Sequence, residues 1–309
     1  MPPAERAPDP APPIAAAACP PPLHGGTPCP APPCPSAPPA PRSPSTSPPH
    51  QVAAPLAHHC AEDVWQNRVR TDATGRLAQY KPREELANSQ LTYRFVIPSD
   101  DEWPASLADL GPHCPLGLWV RGHEQLPRLT ARAVAVTGNR NATAQALRRT
   151  KAFATAVAEA GHTVTATLSY GVDTTAHRAA ARSGRATLAV LPRGLDRAHP
   201  HDHAQMLTSI PASGGAVISL FKPGTPASGA TLRASAVLLA ALVRAVVLVE
   251  ALDHAEAAMH TAEAAAGLHR PVLALPPTGG LRADGNVRLL AEQRAVLVPD
   301  PAHALAVLR

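Results

Sequence analysis

The sequence predicts a doubly wound α/β domain, a mostly parallel sheet with helices on both faces, preceded by a disordered proline-rich tail. Three observations carry this reading. From Ala133 onward, short apolar runs rich in β-branched residues alternate with longer helical segments, the rhythm of a parallel sheet covered on both faces. Two of these runs lead into a glycine turn that opens a helix: Val134-Ala135-Val136-Thr137-Gly138-Asn139-Arg140 and Tyr170-Gly171-Val172-Asp173-Thr174-Thr175-Ala176-His177-Arg178. Of the 37 prolines, 21 fall within residues 1–60, a stretch almost without the large apolar side chains that would offset chain entropy.

The elements follow in order. Residues 1–60 are expected to be disordered, and residues 61–91, mixed in charge and thinly apolar, to form a short helical connector. The folded domain is placed at residues 92–309. It opens with Thr92-Tyr93-Arg94-Phe95-Val96-Ile97, which alternates like a strand before the turn Pro98-Ser99-Asp100-Asp101. Further strands are expected at Ala133–Thr137, Thr163–Leu168, Thr187–Leu191, Ala216–Leu220, Ala245–Glu250, Val272–Leu275 and Ala295–Val298. Helices fill the gaps at Thr143–Ala160, Thr174–Ser183, His203–Ile210, Leu232–Leu242, Ala255–Gly267, Val287–Leu290 and Ala302–Leu308.

Composition narrows the function classes. No run of about 18 apolar residues exists, so no transmembrane helix is expected. The Ile14–Cys19 stretch is short, flanked by prolines and without a basic lead-in, so no export signal is read and the expected compartment is the cytoplasm. A net charge of +5 admits a nucleic-acid partner without requiring one. None of the five cysteines forms a CxxC pair. Cys29-x4-Cys34 with His24, and His58-His59-Cys60, each lack the second half of a zinc site. Neither a metal nor a cofactor is expected.

In doubly wound sheets, ligands collect at the carboxyl ends of the strands. The turns at Gly138 and Gly171 lie there, together with Pro192-Arg193-Gly194-Leu195-Asp196, Phe221-Lys222-Pro223-Gly224 and Pro276-Pro277-Thr278-Gly279-Gly280, and they define a candidate phosphate-binding rim. Gly138 and Gly171 let a ligand approach the backbone. Arg140 can lay a planar guanidinium fork on a phosphate, which lysine cannot match. Asp173 suits the N-cap of a helix beginning just after it, with ligand contact an addition. His177, one turn on, reads either as a ligand contact or as a core histidine bonded to a carbonyl. Tyr170, one of only nine aromatics, can stack on a base or simply pack. Arg178, Arg193, Lys222 and Arg233 add cations. The run Leu147-Arg148-Arg149-Thr150-Lys151 fits a solvated helix face or a nucleic-acid path.

The ordered set Asp101-Glu102-Trp103-Pro104, Leu116-Gly117-Leu118-Trp119-Val120-Arg121-Gly122, Gly138-Asn139-Arg140, Gly171-Val172-Asp173-x3-His177 and Gly194-Leu195-Asp196 resembles the DNA-processing protein A (DprA/Smf) family. Ser219, Gly224, Val249-Glu250-Ala251, Thr261-Ala262 and Gly285-Asn286 continue the order downstream, so the resemblance spans roughly residues 92–309. It implies a Rossmann-like domain that binds single-stranded DNA without catalysis, forms a homodimer and delivers the strand to the recombinase RecA in recombination and transformation. By that resemblance Gly138 and Arg140 match a Gly-x-Arg turn, and Gly171, Asp173 and His177 a Gly-x-Asp helix start. The sequence departs from the family at Ala166-Thr167, where a Ser-Gly pair is expected. It departs again at Arg233-Ala234-Ser235-Ala236-Val237, where the family has Arg-Asn-Arg, and at Pro276-Pro277, where it has Pro-Gly. The chain is also expected to stop after the domain's last helix, without the winged-helix module some members carry.

Two other functions compete. One is a nucleotide-binding or nucleotide-hydrolysing protein. Against it, no Gly-x4-Gly-Lys-Ser/Thr loop is present, and Glu250 is the only carboxylate placed to act as a base. The other is a degenerate scaffold that has lost DNA binding.

Overall fold

In the computed structural model, the described residues are 61–309, apart from 74, 80, 82–83, 85–86, 89–91, 254–256 and 278–282. The expectations for the tail and its cysteines, and for Thr278-Gly279-Gly280, lie outside them. Two short helices, α1 (Ala61–Thr71) and α2 (Arg76–Gln79), occupy the connector.

The sheet has nine strands: β1 (Arg94–Val96), β2 (Leu118–Arg121), β3 (Ala133–Thr137), β4 (Thr163–Ala166), β5 (Thr187–Leu191), β6 (Ala216–Ser219), β7 (Ala245–Leu248), β8 (Val272–Ala274) and β9 (Val296–Leu297). Their spatial order is β1-β2-β6-β5-β4-β3-β7-β8-β9. Every pairing from β6 through β9 is parallel, with Val134 of β3 set between Val164 of β4 and Ala245 of β7. The predicted doubly wound fold is therefore present, and its order reverses between β3 and β7.

The helices α3 (Leu126–Thr130), α4 (Ala144–Glu159), α5 (Val172–Arg182), α6 (Met206–Ala212), α7 (Gly229–Leu242), α8 (Ala257–Gly267), α9 (Asp284–Ala291) and α10 (Pro301–Val307) complete the layers. Because side chains alternate across a strand, β3 sends Val134 and Val136 into a core shared with α4, α5 and α10. Its Ala133 and Ala135 enter a second core formed with α7 and α8. All five residues of β3 and of β5 are buried, as strands covered on both sides require. Each fully buried Val or Leu of these runs contributes about 1.5–3 kcal/mol.

Strand β2 was read from sequence only as part of a motif. It pairs antiparallel with both β1 and β6, and so closes one edge of the parallel sheet. Trp119 of β2 is 1% exposed, and its ring lies 4.7 Å from that of Phe95 on β1. A Cβ at Gly117 would run into the same Phe95 ring, which accounts for the glycine beside Leu118. Among the described residues no helix is long and apolar enough to cross a membrane.

Candidate nucleic-acid interface

The two glycine turns touch each other. Gly171 has φ 74°, and a Cβ there would lie 2.5 Å from the Arg140 carbonyl oxygen and closer still to that of Asn139. The Val172 N–H donates to the Asn139 carbonyl at 3.3 Å, and the Asn139 N–H to the Glu250 carbonyl at 2.6 Å. A Cβ at Gly138 would meet that same Glu250 carbonyl oxygen at 2.6 Å. Both glycines thus serve a close approach of backbone to backbone, which locks together the loops after β3, β4 and β7.

The switch-point crevice between β3 and β7 is filled by the protein's own polar groups. The buried Glu250 carboxylate accepts the Asn139 Nδ2 at 3.1 Å, the Thr143 N–H at 3.2 Å and the Thr143 hydroxyl at 2.7 Å. The Thr143 Oγ1 in turn caps α4 by accepting the Ala146 N–H at 3.1 Å. The Asn139 Oδ1 accepts the Leu252 N–H at 2.9 Å. Asn286, fully buried, accepts the Ala251 N–H at 3.0 Å and donates to the carbonyls of Leu248 at 3.0 Å and Leu275 at 3.1 Å. At the helix end where a Rossmann-like fold receives a phosphate, this chain supplies its own anion. Glu250, the carboxylate that the sequence offered as a base, is held by three donors.

Asp173 corrects the sequence reading. The helix α5 starts at Val172, with Gly171 as its N-cap residue and no side-chain cap. The Asp173 carboxylate instead accepts the Thr137 hydroxyl at 2.8 Å, the Thr167 N–H at 3.1 Å and the Thr167 hydroxyl, tying the ends of β3 and β4 to α5. It is 2% exposed, and burial pushes its carboxyl up to about 6 against the opposing pull of these hydrogen bonds. Thr167, standing where the resemblance led one to expect glycine, is thus a ligand of Asp173.

His177 is 1% exposed, and its Nε2 lies 3.1 Å from the Thr167 carbonyl oxygen. A carbonyl can only accept, so Nε2 carries the proton and Nδ1 is left as an acceptor, buried and without a partner. Burial lowers its pKa to about 4, so the ring is neutral. Of the alternatives open at the sequence level, this geometry is that of the core histidine.

The surface of the rim is cationic. Arg140 is exposed, on the turn after β3, and its guanidinium has no hydrogen bond or ion pair among the described residues. His199, in the loop after β5, has its pKa lowered by burial and then by the guanidiniums of Arg140 and Arg193, which lie within electrostatic reach of it. Arg193 is half-buried, 3.9 Å from Asp196, with its Nε unpartnered. Tyr170 is 37% exposed. Its hydroxyl donates to Asp202 at 2.7 Å, which raises its pKa, and its ring meets that of His203 edge-on at 4.8 Å. The His203 ring is in turn fixed by a 2.6 Å bond from Nδ1 to the Leu168 carbonyl.

The structure therefore gathers Arg140, Tyr170 and Arg193 at one rim and encloses Asp173 and His177 beneath it. Lys222 is half-buried in the loop after β6, and its carbonyl accepts the Thr225 N–H at 3.1 Å. Arg178 is exposed along α5, whereas Arg233 is exposed in the second turn of α7, on the opposite side of the sheet. Arg149 of the basic run reaches from α4 to the Pro276 carbonyl at 2.6 Å, while Arg148 and Lys151 are exposed. Sequence reasoning missed His199, Asp202 and His203. Their crowding in His199-Pro200-His201-Asp202-His203, in the loop after a predicted strand, was the available signal.

Comparison with known proteins agrees with this architecture. The profile of the family described as DNA recombination-mediator protein A matches residues 94–309. The chain is 35% identical over 215 residues to the putative DNA processing protein DprA of Mycobacterium tuberculosis, covering 66% of this chain and 55% of that protein. To the protein Smf of Escherichia coli it is 32% identical over 234 residues, covering 74% and 61%. It thus spans little more than half the length of these relatives. The crystal structure of DNA processing protein A from Streptococcus pneumoniae superposes with a TM-score of 0.67 at 25% identity, covering 84% of this chain and 86% of that one. DNA processing protein A from Helicobacter pylori, described for its unique single-stranded DNA binding mode, shares the fold at 22% identity and a TM-score of 0.62, covering 70% of this chain and 96% of that one. Through residues 94–309 the chain belongs to the DNA recombination-mediator protein A family.

Proposed function

We propose that this protein binds single-stranded DNA across the carboxyl-end rim of its sheet and acts as a non-enzymatic recombination mediator. The observation that carries the reading is that the turn bearing the exposed Arg140 packs against Gly171, next to the exposed Tyr170, with Arg193 after β5 at the same edge and the anion position at α4 already filled by Glu250. Arg140 and Arg193 would hold phosphates, and Tyr170 would stack a base. Lys222 lies along the strand's approach. Gly138, Gly171, Asp173 and His177 hold the rim's shape from beneath. The occupied crevice argues against a free nucleotide as ligand, because its phosphates would face the Glu250 carboxylate.

Membership of a recombination-mediator family supports, as part of the same reading, delivery of the bound strand to the recombinase RecA. A homodimer is supported by the edge strand β9, where Val296 is 50% and Leu297 53% exposed.

Fluorescence anisotropy with an oligo-dT strand tests the reading. Affinity should fall as salt rises, with a log-log slope of about −0.7 for each phosphate held. Arg140→Ala should weaken binding by about 1–3 kcal/mol. An absence of binding at both low and physiological salt would overturn it.

A further inference from the structure

A cleft of about 310 Å³ runs along α5 and α6, from Asp202 at the rim to Thr187 at the start of β5. One wall carries Arg178 in α5 and Arg185 just beyond its end, both exposed and neither in an ion pair or side-chain hydrogen bond among the described residues. Seven positions of sequence separate them, and the chain leaves the helix between them through Gly184, at φ 66°. The other wall presents Gln205, Met206 and Ser209 of α6 and the turn before it. The inner side is lined by His177, whose buried Nδ1 has no partner.

We propose that this cleft continues the DNA path beyond the rim, with Arg178 and Arg185 holding successive phosphates of the same single strand and the α6 wall facing its bases. The inference rests on the proposed rim site and extends it. Three features favour a strand over a small anion. Two separate exposed cations line one wall, where a small anion would need only one. The opposite wall mixes a thioether with amide and hydroxyl groups, suited to a base's face and edge. The mouth at Asp202 adjoins Tyr170 on the rim, through the 2.7 Å hydrogen bond between them.

The test compares a short oligo-dT of about six nucleotides, enough for the rim, with one of about twenty. It uses wild type, Arg140→Ala, and the double variant Arg178→Gln/Arg185→Gln, all in the full chain. The double variant should bind the long strand about tenfold more weakly, with a salt slope shallower by about 1.4, and the short strand within twofold of wild type. Arg140→Ala should weaken both strands. A charge-matched control, Arg128→Gln/Arg244→Gln, removes two exposed cations outside the cleft and should leave both affinities within twofold. If the double variant matches wild type on the long strand, or loses no more than the control, the cleft is not on the path while the rim reading stands. If wild type binds neither strand, the rim reading itself has failed.

Discussion

The Glu250 carboxylate sits at the start of α4, 3.2 Å from the Thr143 N–H and 2.7 Å from its hydroxyl. A built-in anion at a helix N-terminus satisfies free N–H groups and the helix dipole at once. Glu250→Gln keeps the shape but turns a donor toward Thr143 or Asn139. It should cost about 2–3 kcal/mol in urea unfolding, as expected for a buried, charge-assisted acceptor. Millimolar ATP or AMP should leave the melting temperature of wild type unchanged. A rise of several degrees would show that the crevice admits a nucleotide after all.

Gly171 and Gly224 both have positive φ, 74° and 86°, but differ in what surrounds them. Nothing lies within 4 Å of a Cβ at Gly224, whereas one at Gly171 meets the carbonyls of Asn139 and Arg140. Gly224→Ala should therefore cost only the backbone term, about 1 kcal/mol. Gly171→Ala should cost about 2–4 kcal/mol by adding a steric clash, and should weaken DNA binding by displacing Arg140. Equal unfolding free energies for the two variants would contradict this packing.

Asp173 and His177 have opposite pH signatures. With its carboxyl raised to about 6, Asp173 binds a proton in the folded state that the unfolded chain does not, so its contribution to stability grows as pH falls from about 6 toward 4. With its imidazole lowered to about 4, His177 stays neutral in the fold while the unfolded ring takes a proton below about 6.5, so stability falls over nearly the same interval. Each effect is on the order of 2–3 kcal/mol, and in wild type they largely cancel. Chemical denaturation across pH 4–6.5 should show Asp173→Asn losing stability toward acid more steeply than wild type, and His177→Gln gaining it. Parallel curves for all three proteins would refute the assignment.

Tyr170 separates its hydroxyl from its ring. Tyr170→Phe removes the bond to Asp202 but leaves the exposed face, and should bind a DNA strand nearly as well as wild type. Tyr170→Ala should lose about 1–3 kcal/mol by anisotropy titration, the usual worth of one stacked base. Equal losses in both variants would assign the role to the hydroxyl.

The sheet was legible where the chain states its structure locally. Strands β3 and β5 fall on the predicted residues, because a strand buried on both faces reads as an unbroken apolar run. Strand β2 was missed because its glycine-flanked, tryptophan-bearing segment follows a proline and takes its meaning from partners on either side, one of them about a hundred residues away. The start of α5 was placed two residues late, since a glycine at positive φ gives no capping signature while the Asp beside it gives a misleading one. The rim's cations could be read as residue types. The enclosure of Asp173 and His177 could not, because it depends on Thr137 and Thr167 bonding to them from outside their helix.

The bonds that hold the first glycine turn reach far along the chain: the partner of Asn139 Nδ2 lies 111 residues away, and that of its Oδ1 lies 113. A nascent or truncated polypeptide that stops short of Glu250 lacks the anchor that sets Arg140 in place. Competence to engage a strand should thus emerge late and all at once, when β7 docks beside β3. On the proposed reading, DNA affinity would be a readout of global folding, and a partially folded chain would be silent toward DNA rather than weakly active.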